Sequence, residues 1–368
     1  MKYYIIAGEA SGDLHGSNLI KELKKLDPGA VIRCWGGDKM QQAGGELVKH
    51  YRDLAFMGFT EVLMNLRTIF KNLKFCKEDI LEFKPDTLVL IDDPVFNLRI
   101  AKWAKEQGLK VIFYISPQVW AWKENRVKMM KRCIDKMLVI LPFEKDYFKN
   151  KWNWEVEYVG HPLVEVIEKE KQSESGASGR PIVALLPGSR KQEILKKLPI
   201  MLQITPSFEG IHFIVAKAPA IELSFYSELL KSYPNVSVTD RTYGILKTAK
   251  AALVTSGTAT LETALFGVPE VVCYKGSAIS YQIAKRVIRV KYISLVNLIM
   301  DKLVVKELIQ DELTPLNLTR ELNEILFDPE RRKQIGIDYA TLKQLLAQGG
   351  NASANAARSI TRFLNEEV

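Results

Sequence analysis

Short, nearly unbroken apolar runs alternate along the chain with longer stretches of helical period. In the first half the runs are YYIIA (3–7), VIRCW (31–35), TLVLID (87–92), KVIFYI (110–115) and MLVIL (137–141). In the second they are PIVALL (181–186), IHFIVA (211–216), VSVT (236–239), AALVT (251–255) and EVVCY (270–274). Continuous apolar strands separated by helices predict parallel sheets buried on both faces. Between the halves, EKEKQSESGASGR (168–180) is polar, rich in Gly and Ser, and lacks apolar periodicity, so it reads as a linker. At 368 residues the chain exceeds one ordinary core. The expectation is an α/β architecture of two Rossmann-like, doubly wound domains, 1–167 and 181–345. The helix-prone stretch 346–368 would pack back on the first domain or on a partner chain. Doubly wound sheets bind ligands beyond the carboxyl ends of their strands, so two such domains are expected to face a central cleft.

Composition narrows this only a little. Hydrophobic residues make up 47% and charged residues 26%, the balance of a soluble globular protein. No apolar run approaches the roughly 18 residues of a membrane span. The apolar stretch after Lys2 is short and runs into acidic GEASGD, unlike a signal peptide, so a cytoplasmic location is expected. Cys34, Cys76, Cys133 and Cys273 are scattered and suggest neither a disulfide framework nor a zinc site. The formal net charge of +9 favours polyanionic partners: nucleic acid, anionic lipid or phosphorylated substrates. Basic residues are spread along the chain without the aromatic interleaving of a nucleic-acid module, so nucleic acid is not the expected partner.

Candidate chemistry lies where strands end. In LLPGSRKQEI, Gly188 lets backbone approach a ligand, Ser189 offers a hydroxyl, and Arg190 a planar fork of donors suited to phosphate. The helix that follows adds free N–H groups and a positive dipole end. SGTATLETALFG repeats the device with Ser256, Gly257 and Thr258. Glu262 follows one turn later, placed to accept from a ribose diol. Either turn alone is also an ordinary helix cap; together, one carrying an arginine, they point to a diphosphate. Neither matches Gly-x-x-x-x-Gly-Lys-Ser/Thr or Gly-x-Gly-x-x-Gly, which argues against a kinase, an ATPase or a nicotinamide enzyme. No metal-ligand cluster is apparent, so Arg190 and helix dipoles are expected to supply the countercharge without metal or cofactor.

The first half differs. VLIDDPVFN sets Asp92 and Asp93 at a strand's carboxyl end, where one carboxylate can act as general base and the other must face away. An Asx turn or helix cap is the competing reading. GEASGD adds Glu9, Ser11 and Asp13, candidates for an acceptor loop or a plain strand-to-helix turn. His161 reads as a structural hydrogen-bonder. GFTEVLMNLRTIFKNLKF (58–75) has helical period, with Phe59, Val62, Leu63, Leu66, Ile69, Phe70 and Leu73 on one face and Arg67, Lys71 and Lys74 beside it. That pattern suits a helix lying in a membrane interface, and equally a crossover helix with a basic flank.

Nine segments, GEASGD, MGFTEV, DDPVFN, YISPQVWAW, LPFE, VGHP, LLPGSRKQEI, SGTATLE and YISLVNL, occur in an order that closely resembles the lipid-A-disaccharide synthase family, from about residue 3 to about residue 310. The resemblance implies a GT-B fold. It implies transfer of 2,3-diacylglucosamine from its UDP derivative to the 6-hydroxyl of 2,3-diacylglucosamine 1-phosphate (lipid X), with inversion and release of UDP. It also implies a peripheral protein on the inner face of a Gram-negative inner membrane. By similarity Asp92 is the essential acid, Arg190 the family's arginine, and Gly188, Ser189, Ser256, Gly257, Thr258, Glu262 and Asn297 hold UDP. Two departures stand out: Val296 where many members have proline, and Val95 where many have a second aspartate. The second puts a required two-carboxylate mechanism in doubt. A non-hydrolysing UDP-sugar epimerase and the transferase that makes lipid II are the nearest rivals within the fold. Acyl-chain preference cannot be read from the sequence, and a homodimer is left open.

Overall fold

All ten apolar runs form strands in the computed structural model, which describes residues 1–53, 66–172, 179–219, 221–277, 281 and 290–366. The chain divides into two compact units, Met1–Pro162 with Leu346–Val368, and Leu163–Leu345.

In the first unit seven parallel strands lie in the order β3-β2-β1-β4-β5-β6-β7. They are β1 (Lys2–Ala7), β2 (Val31–Gly36), β3 (Glu46–His50), β4 (Thr87–Ile91), β5 (Val111–Tyr114), β6 (Lys136–Val139) and β7 (Glu157–Tyr158). Alternate residues feed two cores. Tyr4, Ile6, Leu88, Leu90 and Phe113 pack on one face against Leu73, Cys76 and Ile80 of helix Leu66–Phe83. Tyr3, Ile5, Val89, Ile91 and Tyr114 pack on the other. There Ala356, Ala357, Ile360 and Leu364 of helix Ala352–Asn365 complete the layer, so the C-terminal helix belongs to the first unit.

In the second unit six parallel strands run β10-β9-β8-β11-β12-β13. They are β8 (Ile182–Leu186), β9 (His212–Ala216), β10 (Val236–Thr239), β11 (Ala249–Thr255), β12 (Glu270–Tyr274) and β13 (Lys306–Ile309). Strand order reverses between β1 and β4 in one sheet and between β8 and β11 in the other. These switch points are where open α/β sheets receive ligands. Both candidate sites lie there.

Three strands are not legible as apolar runs. β3, β7 and β13 are short edge strands, half-buried and carrying Glu, Lys or His, as edges that must not recruit another chain usually are. The expected linker also shifts. Helix Pro162–Lys171 takes in residues 168–171, because Ile167 is buried, Lys343 pairs with Glu168 at 2.8 Å, Lys247 pairs with Glu170 at 3.1 Å, and Lys171 donates to the Leu265 carbonyl at 2.6 Å. A polar helix face tied down by ion pairs looks like a linker when only composition is read. No helix among the described residues is long and apolar enough to cross a membrane.

One buried acid makes stability depend on pH. Glu270 at the start of β12 is fully buried, and among the described residues neither carboxyl oxygen has a hydrogen-bond partner. Burial, and then the charge of Glu307, pushes its carboxyl well above the usual range. At pH values between the ordinary and the raised pKa, the folded chain keeps a proton that the unfolded chain releases. Stability therefore falls as pH rises through that window. Glu270→Gln removes the titration. Its melting temperature relative to the parent should climb between about pH 5 and about pH 8, the gap in unfolding free energy widening by up to about 1.4 kcal/mol for each pH step of one. An offset identical at both ends would contradict the assignment.

Candidate active site

The second unit's switch point holds a pocket of about 390 Å³. β8 delivers Gly188, Ser189 and Arg190 to its wall, and β11 delivers Thr255, Ser256, Gly257 and Thr258. Gly188 has φ 124° and Gly257 φ 146°, backbone that residues with a Cβ rarely adopt. A methyl group on Gly188 would also lie 2.6 Å from Glu193 Oε2. Helices Lys191–Gln203 and Thr258–Phe266 begin at these turns, without a side-chain cap from Arg190 or Gly257, so the positive ends of their dipoles lie at the pocket wall. Arg190 is 54% exposed and pairs loosely with Glu193 at 3.7 Å. Glu262, one turn into the second helix, accepts from Tyr243 at 2.8 Å, and burial raises its carboxyl. Small donors, a cation and a carboxylate thus surround one cavity that suits a nucleoside diphosphate.

The first unit's switch point carries carboxylates. Asp92 and Asp93 follow β4 and both adopt left-handed backbone, with φ 48° and 39°. Asn97, fully buried, closes this corner by donating to the carbonyls of Ile91 at 3.1 Å and Asp92 at 2.9 Å. Asp93 caps helix Pro94–Glu106, accepting from Phe96 N at 3.4 Å. Its carboxylate presses on Gly8, where a methyl group would come within 2.1 Å of Oδ2. The structure therefore separates the two acids: Asp93 is tied into the turn and Asp92 makes no such cap. Burial, then the charges of Glu9 and Asp93, pushes the Asp92 carboxyl up to about 7. Asp93 rises to about 6, chiefly from burial.

Several expected site residues make bonds within the fold. Asp13 is buried and accepts from the amides of Gly37 at 2.8 Å, Lys39 at 3.2 Å and Met40 at 3.0 Å. It braces the turn after β2, while Glu9 and Ser11, expected with it in an acceptor loop, are exposed where helix Ala10–Leu26 begins after β1. Asn297, expected to hold UDP, is fully buried. Its amide donates to Val305 O at 2.8 Å and to Glu307 Oε1 at 2.9 Å, and its oxygen accepts from Val304 N at 2.8 Å and Val305 N at 3.0 Å. These bonds tie Asn297 to the stretch that leads into β13. His161 is buried and its imidazole is lowered to about 3, first by burial, consistent with a neutral structural group.

Of the basic helix, residues 58–65 lie outside the described residues, Val62 among them, as does the side chain of Leu66. The remainder departs from the expected stripe. Leu73 and Ile69 pack inward, but Phe70 is 62% exposed, with Arg67, Lys71 and Lys74 also exposed. The helix is anchored further along by Asp79, which takes the Tyr4 hydroxyl at 2.5 Å and Arg33 at 3.2 Å.

Sequence reasoning misses other functional neighbours. Lys217, just after β9, and Thr242 also line the 390 Å³ pocket. Nothing in AKAPA singles out Lys217 without knowledge that β9 neighbours β8. Glu144 of LPFE is fully enclosed, bonded by Leu141 N at 3.0 Å and Trp120 Nε1 at 3.1 Å, and raised to about 7 mainly by burial. Glu307 accepts from Ile293 N at 3.0 Å and Ser294 N at 2.9 Å, and the Ile293 carbonyl in turn accepts from Ser256 Oγ at 2.9 Å. Among the described residues no group of three His, Cys, Asp or Glu side chains is placed to hold a metal ion.

Known proteins point the same way. A family model described as lipid-A-disaccharide synthetase matches residues 3–361. The lipid-A-disaccharide synthase of Geobacter metallireducens is 40% identical over 358 residues, covering 94% of this chain and 93% of its own. That of Geobacter sulfurreducens is 38% identical over 376 residues, covering 99% and 97%. Among solved structures, the UDP-GlcNAc 2-epimerase of Neisseria meningitidis bound to UDP-GlcNAc superposes with a TM-score of 0.67 at 13% identity, covering 100% of both chains. The calicheamicin glycosyltransferase superposes with a TM-score of 0.63 at 16% identity, covering 99% of this chain and 98% of its own. At such identities these structures show the fold, the GT-B pairing of two parallel-sheet α/β domains.

Proposed function

Because the chain belongs to the lipid-A-disaccharide synthase family, and so is a glycosyltransferase of lipid A biosynthesis, we propose that Asp92 is its general base and that the Gly188–Gly257 cradle holds the UDP it releases. The family reaction moves 2,3-diacylglucosamine from UDP to the 6-hydroxyl of 2,3-diacylglucosamine 1-phosphate. In one displacement the acceptor oxygen bonds to C1 from the face opposite UDP. The C1–O bond to the β-phosphate breaks, and its electron pair leaves with UDP. The acceptor proton passes to Asp92. C1 becomes oxocarbenium-like on the way.

One observation carries this reading: Asp92 stands at a sheet switch point with its carboxyl raised to about 7. An ordinary exposed aspartate is a weak base, and one poised near neutrality is a far better proton acceptor. Arg190 and the two helix N-termini supply positive potential where the leaving diphosphate gains charge. Asp92→Asn should lower kcat by about 10²–10⁴-fold while leaving UDP affinity intact. Arg190→Ala should cost about 3 kcal/mol of transition-state stabilisation and weaken UDP binding as well. A fall below about tenfold for Asp92→Asn would remove it from the role.

Lipid substrates require an apolar approach. On the first unit Val95 is 51% exposed, Trp122 48% and Phe70 62%, with Arg67, Lys71 and Lys74 exposed beside Phe70. This mixture of apolar and basic groups supports peripheral attachment to an anionic inner-membrane surface, reached from the cytoplasmic side. The triple variant Phe70→Ser, Lys71→Ser, Lys74→Ser should lose about tenfold or more in sedimentation with vesicles containing anionic phospholipid, since each lysine near such a surface contributes about 1 kcal/mol. Equal sedimentation by the folded variant would return the helix to a structural role.

A further inference from the structure

Lys197 is only 3% exposed, a burial that lysine rarely tolerates without a partner. It lies on helix Lys191–Gln203, behind the pocket wall. Its ammonium donates to Thr255 Oγ1, and among the described residues it makes no ion pair with a carboxylate. A methyl group on Gly188 would lie 3.5 Å from Lys197 Nζ, so the charge sits directly beneath the turn that opens the cradle. Glu193 is the acid whose charge acts on it most, but Glu193 also faces Arg190. Both cations therefore draw on the same carboxylate. Burial lowers the pKa of the ammonium, as expected of a charge not fully compensated.

The hydrogen bond also has a direction. An ammonium only donates, so Thr255 Oγ1 must accept from it. The hydroxyl proton of Thr255, a residue that lines the pocket, is then left to donate elsewhere. A phosphate oxygen is an acceptor that would take it, and a neutral nucleoside offers no comparable charge.

We propose that Lys197 is a positioning residue of the diphosphate cradle: through Thr255 it places a buried positive charge and a directed hydroxyl donor under the diphosphate of the bound nucleotide. This rests on the reading of the pocket as a UDP site. Titration calorimetry with UDP and with uridine separates the two. Lys197→Met should weaken UDP binding by about tenfold or more and leave uridine unchanged, because only the charged ligand feels the lost cation. Lys197→Arg should recover part of the loss. Thr255→Val, which keeps the charge and removes the hydroxyl, should weaken UDP selectively as well, and serves if the Lys197 variants do not fold. UDP binding in the parent that Arg190→Ala weakens but neither Lys197→Met nor Thr255→Val alters would overturn this inference alone. Absence of UDP binding in the parent, or binding indifferent to Arg190→Ala, would overturn the pocket reading and this one with it.

Discussion

The chemistry of the first unit depends on a backbone corner. Two consecutive aspartates hold left-handed dihedrals at the end of β4, a conformation costing about 1–3 kcal/mol per residue unless its surroundings enforce it. Asn97 braces it with bonds to the carbonyls of Ile91 and Asp92, and Asp93 closes the turn as helix cap against Gly8. What remains is Asp92, half-buried, beside Glu9 and Asp93 and without a cap bond of its own. Its raised pKa follows from that placement. The corner creates the environment, and an aspartate raised in this way suits the base that the proposed reaction needs near neutral pH.

The second unit solves the opposite electrostatic problem. A leaving diphosphate needs positive potential without bulk, so the strand ends carry glycines at positive φ, short hydroxyl side chains and helix N-termini. The visible cation, Arg190, is more than half exposed to solvent, where its field is screened. Lys197 works in a drier place, and the same charge acts more strongly there. Ser256 is held from behind through Ile293 and Glu307, so the cradle has a supporting layer of its own. Asn297 belongs to that layer.

Much of this is legible in the residue pattern. Strands buried on both faces announce themselves as apolar runs, and turns that follow them carry Gly, Ser and Asp for reasons that read locally. The edge strands β3, β7 and β13 do not announce themselves, because half-buried edges mix charged with apolar side chains. Asp13 and Asn297 show what the sequence withholds: a polar residue in a motif looks the same whether it meets a ligand or a backbone amide, and the bonds to Gly37 N and Val304 N appear only in the fold. Lys197 and Lys217 escape notice for the converse reason. Each is an ordinary lysine in sequence; Lys197 becomes informative beside Thr255 and Gly188, and Lys217 once β9 is seen next to β8 and its end lines the same pocket.

In the proposed mechanism, catalysis turns on the ionisation of Asp92. If the proton leaving the acceptor hydroxyl is taken by this carboxylate, the reaction must fail once the carboxylate is protonated. The pH dependence of kcat/KM with UDP-diacylglucosamine and diacylglucosamine 1-phosphate should then show an acid limb of unit slope with its midpoint near the raised value of about 7. An acid limb that stays flat down to about pH 4, the ordinary range of an aspartate, would contradict it.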